Sequence, residues 1–122
     1  MSDAGRRPVL VVDDDPAIRE AVRDVLEAAG LRVATAQDGA EALERVLAEP
    51  PSLVLLDMRM PVMDGWHFAE ALRERRLNLP VVVMTAAADA RRWAEEIGAL
   101  DFVAKPFAVA ELVSAVERYA TG

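Results

Sequence analysis

LVLLDMRMPVMDG, from Leu53 to Gly65, decides how the rest of this chain is read. It begins as a short apolar run that ends on an acid, Asp57, and then breaks at Pro61 and the turn pair Asp64-Gly65. An apolar run of this length, bounded by turn signals, suits a buried strand better than a core helix. Three further runs have the same form. VLVVDD (Val9 to Asp14), VVVMT (Val81 to Thr85) and DFVAK (Asp101 to Lys105) finish on carboxylates, a hydroxyl and an ammonium. In a parallel α/β sheet such ends lie on the carboxyl edge, where ligands bind. Asp13, Asp14, Asp57, Thr85 and Lys105 would therefore converge on one small pocket.

Segments of helical period separate these runs, the alternation that marks βαβ units. The first helix is predicted from about Pro16 to Ala29. Asp15 can cap its free amides, Pro16 suits its first position, and Gly30 ends it. Ile18, Ala21, Val22, Val25, Leu26 and Ala29 share one face at spacings of three and four. Strand two is expected at Leu31 to Ala36, with Val33 inward. Asp38, with Glu41 three residues on, opens a second helix in the manner of a capping box. Leu43, Val46 and Leu47 form its stripe, and Pro50-Pro51 stops it. The third helix follows Asp64-Gly65 and buries Phe68, Ala69 and Leu72. A short fourth helix is placed near Asp89 to Ile97, with Trp93, Ala94 and Ile97 inward and Gly98 as a left-handed stop. The fifth runs from about Val109 to Tyr119 on Leu112, Val113 and Val116. Five strands and five helices in strict alternation, with right-handed crossovers, make a doubly wound α/β sheet covered on both faces.

The 122 residues suit one domain, able to bury roughly two-thirds of its unfolded surface. Hydrophobic residues are 53% of the chain but aromatics only 5%, so Val, Leu, Ala and Met must fill the core. The absence of cysteine excludes disulfides and thiolate metal sites. MSDAGRRP lacks the apolar segment of a secretory signal, and no run approaches the ~20 residues that span a bilayer. A soluble cytoplasmic protein without membrane contact is the expectation. A net charge of −7 argues against a non-specific nucleic-acid surface. Arg73, Arg75 and Arg76, like Arg91 and Arg92, read as solvated helix ends.

Three carboxylates in one cleft demand cations, since like charges about 4 Å apart repel by ~4 kcal/mol at an effective dielectric near 20. Lys105 supplies one charge. Oxygen donors with no His or Cys nearby favour Mg²⁺ for the rest. A carboxylate can also attack phosphorus, and the protein's task is then to position groups and neutralise oxygen charge. Each piece alone has a plainer reading: a helix cap for an Asp pair, a loop contact for Thr85, a surface lysine before Pro106. Their order, each at a strand end, is what joins them.

With VLVVDDDPAIRE, LVLLDMRMPVMDG, VVVMTA and GALDFVAKPF in place, the chain resembles the receiver domain of two-component response regulators over essentially its whole length. The resemblance implies a flavodoxin-like sheet of order 2-1-3-4-5, with the pocket where the first and third strands part. It implies that Asp57 is the phosphoryl acceptor. Asp14 and Asp57 would bind Mg²⁺ directly with the backbone carbonyl of Arg59, and Asp13 through a metal-bound water. Thr85 and Lys105 would meet phosphoryl oxygens, the Lys105-Pro106 bond would be cis, and Phe102 would be the aromatic switch. The implied donor is a phosphohistidine on a sensor histidine kinase or a phosphotransfer protein. Such a domain catalyses its own phosphorylation and hydrolysis, yet is a switch rather than an enzyme. Its fourth helix, fifth strand and fifth helix would be read by a downstream partner or an output domain, and no output domain is visible in this single-domain chain. The alternative is a Mg²⁺-binding interaction module of the same fold that is never phosphorylated.

The chain departs from the family pattern in places. Thr85 to Lys105 spans 20 positions (105 − 85), about two fewer than the pattern, so the fourth helix or the loop leading into it should be shortened. Phe102 has no hydroxyl, and Ala108 replaces a usual helix cap. Arg59 and Ala87, two residues beyond the acceptor and the hydroxyl, would line the approach of water, and Arg59 is expected to alter the lifetime of the phosphoryl group. His67 reads as a surface residue, Trp66 as partly exposed, and Met58, Met60 and Met63 as packing rather than a metal site. A flavin module would want a Gly-rich loop where DDDP stands, and a haloacid-type phosphatase would want an Asp where Arg59 stands.

Overall fold

The computed structural model describes residues 7–120; most of the MSDAGRRP start, together with Thr121 and Gly122 of the tail, lies outside the described residues. Within them the chain alternates as β1 (Val9–Val12), α1 (Pro16–Ala28), β2 (Val33–Ala36), α2 (Gly39–Ala48), β3 (Leu53–Leu56), α3 (Gly65–Glu74), β4 (Val81–Ala86), α4 (Ala87–Ile97), β5 (Asp101–Lys105) and α5 (Val109–Tyr119). All strand pairs are parallel, as the alternation of elements predicts, and the sheet order is β2-β1-β3-β4-β5, as the resemblance implies.

Side chains alternate across a strand, so a sheet covered on both faces divides its residues between two layers. Leu10, Val12, Val54, Leu56 and Val83 face α2, α3 and α4, where Val46, Phe68, Leu72 and Trp93 meet them. Val9, Val11, Leu53, Leu55, Val82 and Met84 face α1 and α5, against Val22, Leu26, Leu112 and Val116. β1 and β3, at the centre, are buried at every position.

Helix starts follow their caps. Asp15, Asp38 and Asp64 accept hydrogen bonds from the amides of Ala17, Glu41 and His67 at 2.9, 2.8 and 2.9 Å. A cap of this kind contributes about 1 kcal/mol. Gly98 closes α4 at φ 68°, the left-handed stop expected of it. Ala108 gives α5 no side-chain cap.

Four expectations are corrected. α4 begins at Ala87 rather than near Asp89, directly from the last residue of β4, so no loop separates the two and the helix has 11 residues. β2 starts at Val33, not Leu31, and is an edge strand: Val33 is only half-buried and Ala36 is its buried residue. Leu47 is 58% exposed, because α2 covers the edge of the sheet and, of its apolar side chains, Ala42 and Val46 are the ones fully enclosed. Ala21 of α1 and Ala29, which follows its last residue, are exposed, leaving Val22 and Leu26 as that helix's buried pair. No described helix is long and apolar enough to cross a membrane.

Candidate functional site

β1 and β3 are neighbours whose following helices pack on opposite faces, so a crevice opens beyond their carboxyl ends. Val12 pairs with Leu56, and the Asp57 amide donates to the Val12 carbonyl at 2.9 Å. That register sets the residues after each strand side by side. Asp13, Asp14 and Asp57 each offer a carboxylate oxygen, and these lie within 4.8 Å of one another. Thr85 is buried near the end of β4, and Lys105 ends β5. The five residues singled out by position thus sit at one edge.

Lys105 Nζ donates to Asp13 Oδ2 at 2.7 Å and lies 3.8 Å from Asp57 Oδ2. Asp13 is fully buried; its Oδ1 accepts from the Asp15 amide at 2.9 Å. Its own carbonyl accepts from Arg19 Nη1 at 2.7 Å, a support that sequence reasoning missed. Asp14 is exposed at the rim. Asp57, 8% exposed, has its pKa pushed up to about 6. Burial is the main cause, and the charges of Asp13 and Asp14 add to it; the Lys105 ammonium and the Met58 amide act in the opposite direction.

One ammonium does not balance three carboxylates. The excess negative charge and an all-oxygen donor set fit a hard divalent cation such as Mg²⁺. Asp14 also lines, with Arg59, Met60, Pro61, Asp64 and Trp66, a groove of about 490 Å³ beside the cluster.

The segment after β3 is held from two sides. A Cβ on Gly65 would lie 2.5 Å from Met58 Sδ and 2.9 Å from Met58 Cα, so only glycine lets α3 start against the loop that follows Asp57. Gly39, not flagged by the sequence, donates its amide to the Met63 carbonyl at 2.9 Å, and a Cβ there would meet that oxygen at 2.6 Å. No local signal could have found it, since the contact joins α2 to a distant loop. Val62, at φ 69° and 84% exposed, is a β-branched residue in the left-handed region.

The remaining candidates lie further out. Arg59 is exposed, with its guanidinium 5.3 Å from the centre of the Trp93 ring. Phe102 is half-buried beside the α2–α4 layer, with the Arg91 guanidinium 5.6 Å from its ring. Ala87 is exposed as the first residue of α4. The Lys105-Pro106 bond is cis. His67 stands on the surface, its Nδ1 2.8 Å from Asp64 Oδ1, and that hydrogen bond and charge raise its pKa. Trp66 is half-buried, edge-to-face with Trp93 at 5.0 Å, and its Nε1 donates to Glu96 Oε1 at 2.9 Å. Met58 is buried, with Met60 and Met63 packed beside the same core layer.

A doubly wound sheet of this order, with an acidic cluster and a lysine at its switch point, defines a CheY-like receiver architecture. The family profile of the response regulator receiver domain matches residues 9–117, and the chain belongs to that family. It is 43% identical over 112 residues to the DNA-binding transcriptional regulator NtrC of Escherichia coli K12, covering 90% of this chain and 24% of that protein. It is 43% identical over 111 residues to the transcriptional regulatory protein PrrA of Mycobacterium tuberculosis, covering 89% and 48%. The chain therefore spans about a quarter of the length of one of these relatives and about half of the other. Among solved structures, the receiver domain of NtrX from Brucella abortus superposes with a TM-score of 0.83 at 32% identity, covering 91% of this chain and 96% of that one. The chemotaxis protein CheY4 of Vibrio cholerae gives 0.83 at 31%, covering 94% and 99%.

Proposed function

We propose that this receiver domain accepts a phosphoryl group on Asp57 from a phosphohistidine donor and thereby switches its α4–β5–α5 surface. The observation that carries this reading is the burial of the Asp57 carboxylate at a strand end, between two further acids and the Lys105 ammonium. One Asp57 Oδ attacks phosphorus; the P–O bond forms as the P–N bond breaks, and the imidazole nitrogen departs with that electron pair. Asp14, Asp57 and the Arg59 carbonyl would hold Mg²⁺, with Asp13 reaching it through water. Bound there, the ion would neutralise charge on the equatorial oxygens. Thr85 donates its hydroxyl to one phosphoryl oxygen, and Lys105 pairs with another. Thr85 moves toward the new oxygens and Phe102 turns inward, shifting an equilibrium between two states.

A sensor histidine kinase or a histidine phosphotransfer protein supplies the phosphoryl group. NtrC and PrrA are transcriptional regulators, which supports a transcriptional output, delivered through a downstream partner or an output domain rather than by nucleic acid bound to this fold. Arg59, at the rim, sets the lifetime of the phosphoryl group; equal dephosphorylation rates for wild type and Arg59→Ala would remove that assignment.

The deciding experiment is incubation with Mg²⁺ and acetyl phosphate followed by intact mass. One added phosphoryl group is expected, dependent on Mg²⁺ and absent in Asp57→Asn. Unchanged labelling of that variant would move the acceptor elsewhere.

A further inference from the structure

Arg59 is the cation nearest in sequence to the acceptor, yet it makes no ion pair with any described residue. Its guanidinium rests on the Trp93 ring at 5.3 Å. The same indole carries a second guanidinium, that of Arg92 at 5.9 Å, but Arg92 is neutralised by Asp89 at 2.6 Å. Arg59 is thus the uncommitted charge, seated beside a like charge. Trp93 is 5% exposed and meets Trp66 edge-on, while Trp66 is tied to Glu96 of α4. The acceptor loop, α3 and α4 therefore touch at one indole.

We propose that Arg59 is a two-position cation. It covers Trp93 while Asp57 is a bare carboxylate and turns to the phosphoryl oxygens once Asp57 is modified, which uncovers Trp93 and releases one hold on α4. This rests on the phosphoacceptor reading given above. The balance of forces favours the move. An exposed guanidinium gains little from an aromatic face, whereas modification replaces the single charge of the Asp57 carboxylate by nearly two on the phosphoryl oxygens, a gain of about one negative charge only two residues away. Charge attracts charge more strongly than it attracts a ring quadrupole at similar distance. Arg59 and Asp14 line one groove, so the side chain has an open path toward the acidic cluster. The device differs from the Thr85–Phe102 route, because it runs from the loop after β3 to α4 without passing through β4 or β5.

The test uses Trp66→Phe, which leaves Trp93 as the sole indole, with Mg²⁺ and beryllofluoride as the phosphoryl mimic. Bound beryllofluoride is followed by its ¹⁹F resonance. Loading is expected to red-shift Trp93 emission and increase its quenching by acrylamide. In Trp66→Phe/Arg59→Ala, brought to the same bound-¹⁹F occupancy by raising the beryllofluoride concentration, the indole is accessible from the outset and loading adds no further change. Arg59→Lys in the same background restores the response in part. A ¹H–¹⁵N correlation of the unmutated chain provides a second reading, in which the Arg59 Nε–H and an indole N–H resonance both move on loading. A bound ¹⁹F signal with unaltered Trp93, or an equal response without the Arg59 guanidinium, overturns this inference alone. No bound ¹⁹F signal overturns the phosphoacceptor reading as well.

Discussion

Lys105 Nζ stands 2.7 Å from Asp13 Oδ2, reaching from β5 past the ends of β4 and β3 to a residue 92 positions away. The ammonium is committed first to the most buried acid and only second to Asp57, at 3.8 Å. It therefore opposes the entry of another cation into the same cluster. Lys105→Met leaves Asp13 buried without its counter-charge and should cost roughly 2–4 kcal/mol in metal-free buffer. Added Mg²⁺ should then raise the denaturation midpoint more in the variant than in wild type. Equal Mg²⁺ responses would show that the lysine and the metal do not compete.

Asp57 gives a pH dependence of definite sign. Its pKa of about 6 in the fold exceeds the ordinary 3.8, so between these values the folded chain binds more protons than the unfolded one. Metal-free stability contributed by Asp57 is then fully present below the lower value and is lost as pH rises through about 6. Asp57→Asn should flatten that window and be more stable than wild type at pH 7 by about 1–2 kcal/mol, a figure discounted for the solvent that reaches the carboxylate. Mg²⁺ needs the ionised form, so its affinity should climb across the same window. Calorimetric unfolding with chelator and Mg²⁺ titrations at several pH values measure both; a flat wild-type profile contradicts the burial argument.

Much of this site was legible because its chemistry sits at the ends of apolar runs, where topology alone brings residues together. Asp15, Asp38 and Asp64 were legible for a local reason, since each cap bonds within three residues. The start of α4 was not. Ala86, Ala87 and Ala88 carry neither a cap nor a breaker, and alanine's helix propensity lets the helix run back to the strand. The exposure of Leu47 depends on where α2 lies over the sheet, which periodicity does not reveal. Arg19 on the Asp13 carbonyl and Gly39 under Met63 are contacts of folded geometry, without a sequence signature.

Gly65→Ala sets two effects against each other. Alanine in a helix is worth about 1 kcal/mol over glycine, but overpacking costs ~1–3 kcal/mol. Here the new methyl meets the backbone of Met58 at 2.9 Å as well as its flexible sulfur at 2.5 Å. A net loss of stability, with slower labelling by acetyl phosphate, is expected. Increased thermal stability would mean that the loop after Asp57 yields freely.

Val62 offers the opposite case. At φ 69° and 84% exposed, its side chain is strained and buries almost nothing. Val62→Asn, which tolerates that backbone region, should stabilise the fold by roughly 0.5–1 kcal/mol. Denaturant unfolding at constant m-value measures it, and a decrease would point to a contact made by the valine methyls.

Ala86 is the last residue of β4 and Ala87 the first of α4, with Ala86 still paired to Lys105 in the sheet. Nothing at that junction can stretch. A tug on Thr85, one residue earlier, would be delivered as a tilt of the whole rod, as a crank turns its shaft, where a coil would have taken up the slack.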